Sequence, residues 1–186
     1  MTLELVKASA GNATLETIKD MIPDFAKDIR LNWGSVLSPE GAPDLTPNQI
    51  FGVALATAYA VRNAYVTQAL ETASVGVVSD AEITAAKSAA SIMAMNNIYY
   101  RFVHLAHDED ISKLPAKLRM NVIGQPGIAK ADFELYSLAV SAINGCGMCI
   151  EAHTHELVKA GVSKLAIQSA IRIAAVIHAA ARSIEI

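Results

Sequence analysis

The chain has 186 residues, of which 53% are hydrophobic and 18% are charged, and its formal net charge is -3. That length predicts one domain, or two small halves that share a core. The acidic balance and the absence of a long basic run argue against nucleic acid as a partner, because phosphates are bound by clustered Lys and Arg. No uninterrupted apolar run approaches the roughly 20 residues of a membrane span, so we predict no membrane partner.

The N-terminus and the cysteine content predict the compartment. Residues 1–10 include Glu4 and Lys7 and have no apolar segment typical of a signal peptide. We therefore expect a soluble, cytoplasmic protein. Its only two cysteines, Cys146 and Cys149, lie in one short motif. In the cytosol such a pair is typical of a catalytic or metal-binding site rather than of a structural disulfide.

A helical period of 3.6 residues recurs along the chain, and alternating strand patterns are scarce, which predicts an all-α fold. In the first part we predict helices over residues 14–22, 24–33, 48–62, 64–74 and 79–104, with a loop at 38–47 and a turn at 76–79. Residues 107–113 are predicted to form a polar connector. In the second part we predict helices over residues 115–122, 132–143, 146–159 and 165–183, with Asp132 and Ser163 as N-caps.

The two parts of the chain are similar to each other. Residues 76–79, with the sequence GVVS, precede a long Ala-rich helix, and residues 161–163, with the sequence GVS, precede another. This predicts an internal repeat of about 84 residues within a single helical domain of residues 1–186. The cysteines lie only in the second copy, so we expect an N-terminal scaffold half of about residues 1–113 and a C-terminal catalytic half of about residues 114–186.

Cys146, Cys149 and His153 are spaced to share one face of a helix. Each helical residue turns about 100°, so these three fall within about 60° of one another. The two Cα atoms are expected about 5 Å apart, within the range that a disulfide tolerates. A helix N-terminus favours a thiolate, and His153 can take the proton from Cys149. Cys146 can then convert a sulfenic acid on Cys149 into a disulfide.

Two other interpretations of the cysteine pair remain open. The cysteines can be buried apolar residues without chemistry. They can also bind zinc, which needs four ligands. On a helix His155 points away from Cys146, so Glu134 would have to complete such a set.

The remaining titratable residues have simpler interpretations. Glu134 lies near the start of the preceding helix, where a carboxylate can interact with the helix dipole. We interpret His104, His107 and His155 as solvated or capping residues. His178, in the apolar last helix, is expected to be a hydrogen-bonded core histidine. Met93, Met95 and Met148 are expected to fill the core.

Three segments and one spacing together resemble a known family. The segments are PDFAKDIRLN at residues 23–32, MAMNNIYYR at residues 93–101 and LRMNVIGQPGIAKADFELYSLAVSAINGC at residues 118–146. The spacing runs from Glu134 to the cysteine pair and on to His153. These features resemble the alkyl hydroperoxide reductase D (AhpD) family, within the carboxymuconolactone decarboxylase-like superfamily, over essentially the whole chain. Met148 departs from the best-known form of the motif, which has a histidine before the second cysteine.

The resemblance implies an AhpD-like all-helical fold, a homotrimer and peroxidase activity. It implies that Cys149 is the peroxidatic cysteine, that Cys146 resolves, and that Glu134 and His153 relay protons. It further implies no bound cofactor or metal, reduction by dihydrolipoyl groups or another dithiol, and two protein partners, a peroxiredoxin and a lipoyl-bearing acyltransferase. The alternative is a protein-disulfide reductase or adaptor with little peroxidase activity, because the thioether of Met148 cannot carry a proton.

Overall fold

The computed structural model describes residues 13–186, and this part of the chain contains ten α-helices and no strand. The helices are α1 (Leu15–Met21), α2 (Lys27–Val36), α3 (Pro47–Val61), α4 (Ala64–Ala73), α5 (Asp80–Leu105), α6 (Glu109–Lys113), α7 (Asn121–Gly124), α8 (Lys130–Asn144), α9 (Gly147–Lys159) and α10 (Lys164–Glu185). A short 3-10 turn, Asp24–Ala26, precedes α2. The predicted all-α fold is confirmed. The prediction about a signal peptide concerns residues 1–10, which lie outside the described residues.

Side-chain caps define where the long helices begin. Ser79 accepts a hydrogen bond from the backbone N–H of Glu82, and the Glu82 carboxylate accepts one from the N–H of Ser79. This reciprocal capping box satisfies two N–H groups that the first turn of a helix leaves without partners. Ser163 caps α10 through the N–H of Ala166. The Ser163 cap agrees with the sequence prediction.

Helices α3, α5, α8 and α10 form the core of the bundle. Helix α8 packs against α3, α5 and α10, and residues 133–141 are all buried. Contact between α3 and α8 is so close at Gly52 that a Cβ there would collide with the Tyr136 hydroxyl. Buried residues from both parts of the chain form one hydrophobic cluster. Helix α9 lies on the outside of this core, against α8 and α5.

The helices recur in the same order in the two parts of the chain. Helices α8, α9 and α10 begin 83 or 84 residues after α3, α4 and α5, at Lys130, Gly147 and Lys164 compared with Pro47, Ala64 and Asp80. This spacing agrees with the predicted repeat. The first repeat is therefore defined as α3–α5 and the second repeat as α8–α10.

Three local predictions are wrong. Residues 107–113 contain the short helix α6, because the Asp108 carboxylate accepts hydrogen bonds from the N–H groups of Asp110 and Ile111. The predicted helix over residues 115–122 is absent, and α7 starts only at Asn121. Lys117 has a φ of 51°, a left-handed conformation that no α-helix contains.

The third error concerns the start of α8. This helix begins at Lys130, with Ala129 at the N-cap position and no side-chain cap. Asp132, which was predicted to be the cap, lies within the first turn. Its Oδ1 instead accepts a hydrogen bond of 2.7 Å from Nε2 of Gln49 on α3. The carboxylate therefore joins the two repeats rather than starting a helix.

Helix α10 is long and apolar enough, by length and composition alone, to cross a membrane. It packs against α2, α3 and α8. The residues it buries include Ala166, Ala170, Ile173, Ala174, Ile177, Ala180 and Ala181. This one-sided burial is the pattern of an amphipathic core helix.

Candidate active site

A sharp bend between α8 and α9 positions the cysteine pair. Gly145 ends α8 in a left-handed conformation with φ 67° and ψ 35°. The N–H of Cys146 then donates to the carbonyl of Ser141, and Cys146 adopts an extended conformation as the N-cap of α9. The prediction that Cys146 starts the helix is therefore corrected by one residue. Its Sγ accepts a hydrogen bond of 3.3 Å from the N–H of Cys149.

Cys146 and Cys149 are joined by a disulfide, and their Cα atoms are 5.3 Å apart. The predicted separation of the pair is confirmed. The two cysteines differ in accessibility, since Cys146 is 0% exposed and Cys149 is 6% exposed. Cys149 also lines a cavity that opens beside α9. A small reactant can therefore reach Cys149, whereas Cys146 lies behind it.

Glu134 and His153 form a buried pair between α8 and α9. Oε2 of Glu134 lies 2.6 Å from Nδ1 of His153, and both residues are buried. Nε2 of the same ring lies 3.3 Å from Sδ of Met93 on α5. Both ring nitrogens therefore have partners, and no hydrogen bond joins His153 directly to Cys149 among the described residues of this disulfide form.

The partners of His153 determine where its protons lie. A thioether only accepts hydrogen bonds, so the contact of Nε2 with Met93 is a hydrogen bond only in a form of the ring that carries hydrogen at Nε2. The carboxylate of Glu134 lies beside Nδ1, the other nitrogen of the ring. The imidazole therefore lies between the carboxylate of Glu134 and the cavity that contains Cys149.

The cavity beside Cys149 is largely apolar. Its volume is about 260 Å³. The sulfur-containing residues of its wall are Cys149 and three methionines, Met93, Met120 and Met148. Met93 is fully buried, as predicted, but its contact with His153 gives it more than a packing role. Met148 is only half-buried and faces the same cavity.

Helix α5 also holds the bend before Cys146. Nδ2 of Asn97 donates to Oγ of Ser141 at 2.9 Å, and Nδ2 of Asn144 donates to Oδ1 of Asn97 at 2.9 Å. One turn later, Nη1 of Arg101 donates to the carbonyl of Asn144 at 2.6 Å. Met93, Asn97 and Arg101 thus follow one face of α5 at intervals of four residues. The sequence marks this segment only by its resemblance to the family and does not predict these roles.

A second cavity, with charged side chains in its wall, borders Glu134. It is lined by Glu134, Lys130, Glu156 and Lys159 together with two alanines. Nζ of Lys130 lies 3.3 Å from Oε2 of Glu156, and the hydrogen bond from Lys130 is the main reason that the pKa of Glu156 is lowered. The Glu134–His153 pair therefore lies between an apolar cavity that contains Cys149 and a charged one.

The remaining histidines are apart from this site. His104, His107 and His155 are exposed, as predicted. His178 is half-buried, and its Nδ1 has no hydrogen-bond partner among the described residues, so it is not the hydrogen-bonded core histidine that the sequence predicts. Within residues 13–186 no group of three or more His, Cys, Asp or Glu side chains could hold a metal ion. The zinc interpretation therefore has no support in the described part of the chain.

The helical bundle and its disulfide-forming cysteine pair define an all-α oxidoreductase. Comparisons with known proteins make the assignment specific. The model of the carboxymuconolactone decarboxylase family matches residues 109–185. The chain is 57% identical over 172 residues to the alkyl hydroperoxide reductase AhpD of Rhodopseudomonas palustris (strain BisA53), an alignment that covers 92% of this chain and 93% of that protein.

Two further relatives carry the same name. The protein of Coxiella burnetii (strain RSA 493 / Nine Mile phase I) is 56% identical over 168 residues, which are 90% of this chain and 95% of the relative. The protein of Rhodospirillum centenum (strain ATCC 51521 / SW) is 55% identical over 168 residues, 90% of this chain and 89% of the relative. The chain belongs to the alkyl hydroperoxide reductase AhpD family, as its resemblance predicted.

Proposed function

We propose that the protein reduces organic hydroperoxides at Cys149 and is returned to its dithiol form by an external dithiol. The observation that carries this proposal is the position of Cys149, which lies in the wall of an apolar cavity with its disulfide partner buried behind it. An apolar cavity of this size suits the organic group of a hydroperoxide. The names of the relatives, alkyl hydroperoxide reductase, support the same substrate class.

The cycle has three steps, and each is balanced. The Cys149 thiolate attacks the terminal oxygen of the hydroperoxide, an S–O bond forms, the O–O bond breaks, and Cys149 becomes a sulfenic acid. The alkoxide that leaves takes a proton and departs as an alcohol. The Cys146 thiol then attacks the sulfenic acid sulfur, which forms the disulfide and releases water. A dithiol finally reduces the disulfide and becomes a disulfide itself.

Glu134 and His153 supply and recover the proton in this cycle. His153 donates its Nε2 proton to the leaving alkoxide, and Met93 is a weak acceptor that is easily replaced as the partner of that proton. Reduction of the disulfide yields a thiolate on Cys149 and leaves one proton, which returns to the pair. General acid–base catalysis of this kind contributes about 10²–10⁴-fold to a rate.

For the reductant we propose a dihydrolipoyl group or a similar small dithiol. The disulfide is almost fully buried, so the reductant has to enter by the cavity that contains Cys149. A lipoyl group on a flexible arm has a suitable shape, and its natural carrier would be a lipoyl-bearing acyltransferase. A peroxiredoxin is the proposed electron acceptor in addition to free hydroperoxide. No bound cofactor is required for these steps, and we propose a cytoplasmic location.

A homotrimer is the proposed assembly. The C-terminal half of α5 exposes the large apolar side chains of Ile98, Phe102 and Leu105 on one side of the helix. Solvent-exposed apolar groups at this spacing are typical of a surface that is covered by another subunit. Analytical ultracentrifugation would test the assembly, and a monomer at micromolar concentration would contradict it.

The role of each sulfur is tested by two serine variants. Cys149→Ser should abolish consumption of cumene hydroperoxide with dihydrolipoamide as the reductant. Cys146→Ser should leave a sulfenic acid on Cys149 that dimedone traps, because no thiol remains to resolve it. Mass spectrometry after one equivalent of peroxide measures both outcomes. A dimedone adduct on Cys146 of the Cys149→Ser variant would reverse the assignment.

Met148 supports a second candidate function, a protein-disulfide reductase or adaptor with little peroxidase activity. Its thioether stands beside Cys149, where the best-known form of the motif has a histidine. If this function is correct, the reduced protein should reduce an oxidised peroxiredoxin rapidly while it consumes cumene hydroperoxide slowly. Comparing the two rates in one preparation separates the candidates.

A further inference from the structure

Asn96 on α5 has a buried polar side chain, and one of its atoms has no hydrogen-bond partner in the described part of the chain. The residue is 4% exposed, and its Oδ1 accepts no hydrogen bond from any described residue. A buried acceptor without a donor is destabilising, and the few such atoms in native proteins need an explanation. Packing alone does not provide one, since an apolar side chain of similar size would avoid the loss.

The position of Asn96 provides the explanation. Asn96 lines the same cavity as Cys149 and His153. The hydroxyl of Tyr100, another polar group of this wall, already contacts Sδ of Met120 at 3.8 Å. Oδ1 is itself enclosed, so the side chain has to turn about its last torsion, which is broad for asparagine, to present this oxygen to the cavity. In the wall of the cavity that contains Cys149, Asn96 thus carries an acceptor that has no partner among the described residues.

Asn97, the next residue on α5, differs from Asn96 because its side chain is fully hydrogen-bonded to the bend before the cysteine pair. Nδ2 of Asn97 donates to Ser141, and its Oδ1 accepts from Asn144, both at 2.9 Å. These bonds hold the bend before the cysteine pair. Asn97 therefore has a structural role that its contacts explain, whereas no described residue donates a hydrogen bond to Oδ1 of Asn96.

We propose that Oδ1 of Asn96 accepts a hydrogen bond from the terminal O–H of the bound hydroperoxide. This inference rests on the proposed function, because it requires a hydroperoxide in the cavity. The bond would hold the terminal oxygen near the Cys149 sulfur and direct the alkyl-bearing oxygen towards the Nε2–H of His153. When the S–O bond forms and the O–O bond breaks, the hydrogen held by Asn96 stays on the sulfenic acid. The leaving alkoxide takes its proton from His153.

Substituting the two neighbouring asparagines separates substrate binding from structure. Asn96→Leu should slow the reaction with cumene hydroperoxide roughly tenfold, the effect expected for one lost hydrogen bond in the transition state. It should leave reduction of the disulfide by dihydrolipoamide unchanged, and its urea midpoint should equal or exceed that of the wild type. The matched variant Asn97→Leu should lower the urea midpoint, because Ser141 and Asn144 lose their partner. Stopped-flow measurement of both half-reactions, with urea denaturation of each protein, provides these values.

Three results would overturn the inference. The first is an Asn96→Leu protein whose peroxide step matches that of the wild type. The second is an Asn96→Leu urea midpoint lowered as much as that of Asn97→Leu, which would assign Asn96 a structural role. The third is a wild-type protein that does not react with cumene hydroperoxide, which would contradict the proposed function itself. Asn96→Ala should reproduce the slower peroxide step, so the conclusion does not depend on the fit of a leucine.

Discussion

In the first repeat (α3–α5) and in the second repeat (α8–α10), the turn between the first two helices has the same backbone conformation. The side chains at that turn differ. Arg62 ends α3 in a left-handed conformation with φ 66°, and Gly145 ends α8 with φ 67°. The residue that follows each caps the next helix. Asn63 accepts from the N–H of a residue three positions later at 3.1 Å, and Cys146 does the same at 3.3 Å. The backbone of the cysteine motif therefore does not depend on its chemistry.

The three chemical positions of the cysteine motif, one at the N-cap and two on the helix after it, carry other residues in the first repeat. Where the second repeat has Cys146, Cys149 and His153, the residues 83 positions earlier are Asn63, Val66 and Leu70. Val66 and Leu70 are fully buried in the hydrophobic core. The comparison indicates that the redox site occupies a helix-capping turn whose backbone form is shared by both repeats.

The largest effect is expected from removing the proton relay, which has no equivalent in the first repeat. His153→Gln and Glu134→Gln should each slow the peroxide step by about 10²–10⁴-fold at neutral pH, because the leaving alkoxide loses its proton donor. Stopped-flow kinetics with cumene hydroperoxide measures this step. His155→Gln is the control, since His155 is exposed on the same helix and should retain the wild-type rate. A loss below about threefold in both relay variants would reduce these residues to structural roles.

A smaller effect, an increase in the rate of the peroxide step, is expected from substitution of Met148. Met148→His would place an imidazole in the wall of the cavity that contains Cys149, where it can relay protons directly or through water. We expect the peroxide step to become severalfold faster at neutral pH, with little change in reduction by dihydrolipoamide. Stopped-flow measurement of both half-reactions checks this. An unchanged or slower peroxide step in a folded variant would favour the disulfide-reductase function.

Gly145 and Arg62 both adopt a left-handed conformation at the turn, so substituting each by alanine compares the cost of that conformation in the two repeats. A Cβ at Gly145 would meet no atom within 4 Å, so Gly145→Ala tests the backbone conformation alone. It should lower the free energy of unfolding by about 1 kcal/mol, since only glycine adopts positive φ without cost. Arg62→Ala should have almost no effect, because Arg62 is exposed and already adopts positive φ with a side chain. Urea denaturation of both variants checks the pair, and equal losses would contradict the explanation.

The sequence predicted those parts of the fold and site that depend on local spacing. The helical period located eight of the helices approximately, and the spacing of Cys146, Cys149 and His153 predicted their common face. The departures have local physical causes. The cap at Asp108 carried a recognisable signal, because aspartate is a preferred N-cap residue. The left-handed conformation of Lys117 carried none, since lysine rarely adopts it.

Contacts between distant helices could not be predicted in this way. Met93 and His153 are 60 residues apart, and their contact depends on how α5 packs against α9. The same packing places Asn96 in the cavity wall and Asn97 at the bend. A single sequence predicts the apolar face of α5. It does not predict which polar residues at the edge of that face contact the active site. The resemblance to the family marked this segment, and only the structure gave it a role.

The smallest effect, on the free energy of unfolding, is expected at the N-terminus of the last helix of a repeat. Glu82 occupies the third position of α5 and closes its capping box, whereas α10 has Ala166 at that position. A hydrogen bond from Asn48, and then one from the N–H of Ser79, lower the pKa of Glu82 from its ordinary value of 4.5. Because the folded protein favours the ionised carboxylate, its contribution to stability is present above that value and is lost as the pH falls through the lowered pKa.

Glu82→Gln should therefore reduce the free energy of unfolding at pH 7 and have progressively less effect below pH 4.5. The loss should be small, because Glu82 is only partly buried and glutamine can still close the box. Urea denaturation from pH 7 down to pH 3 would measure it, and a difference that grew on acidification would contradict the assigned direction of the shift.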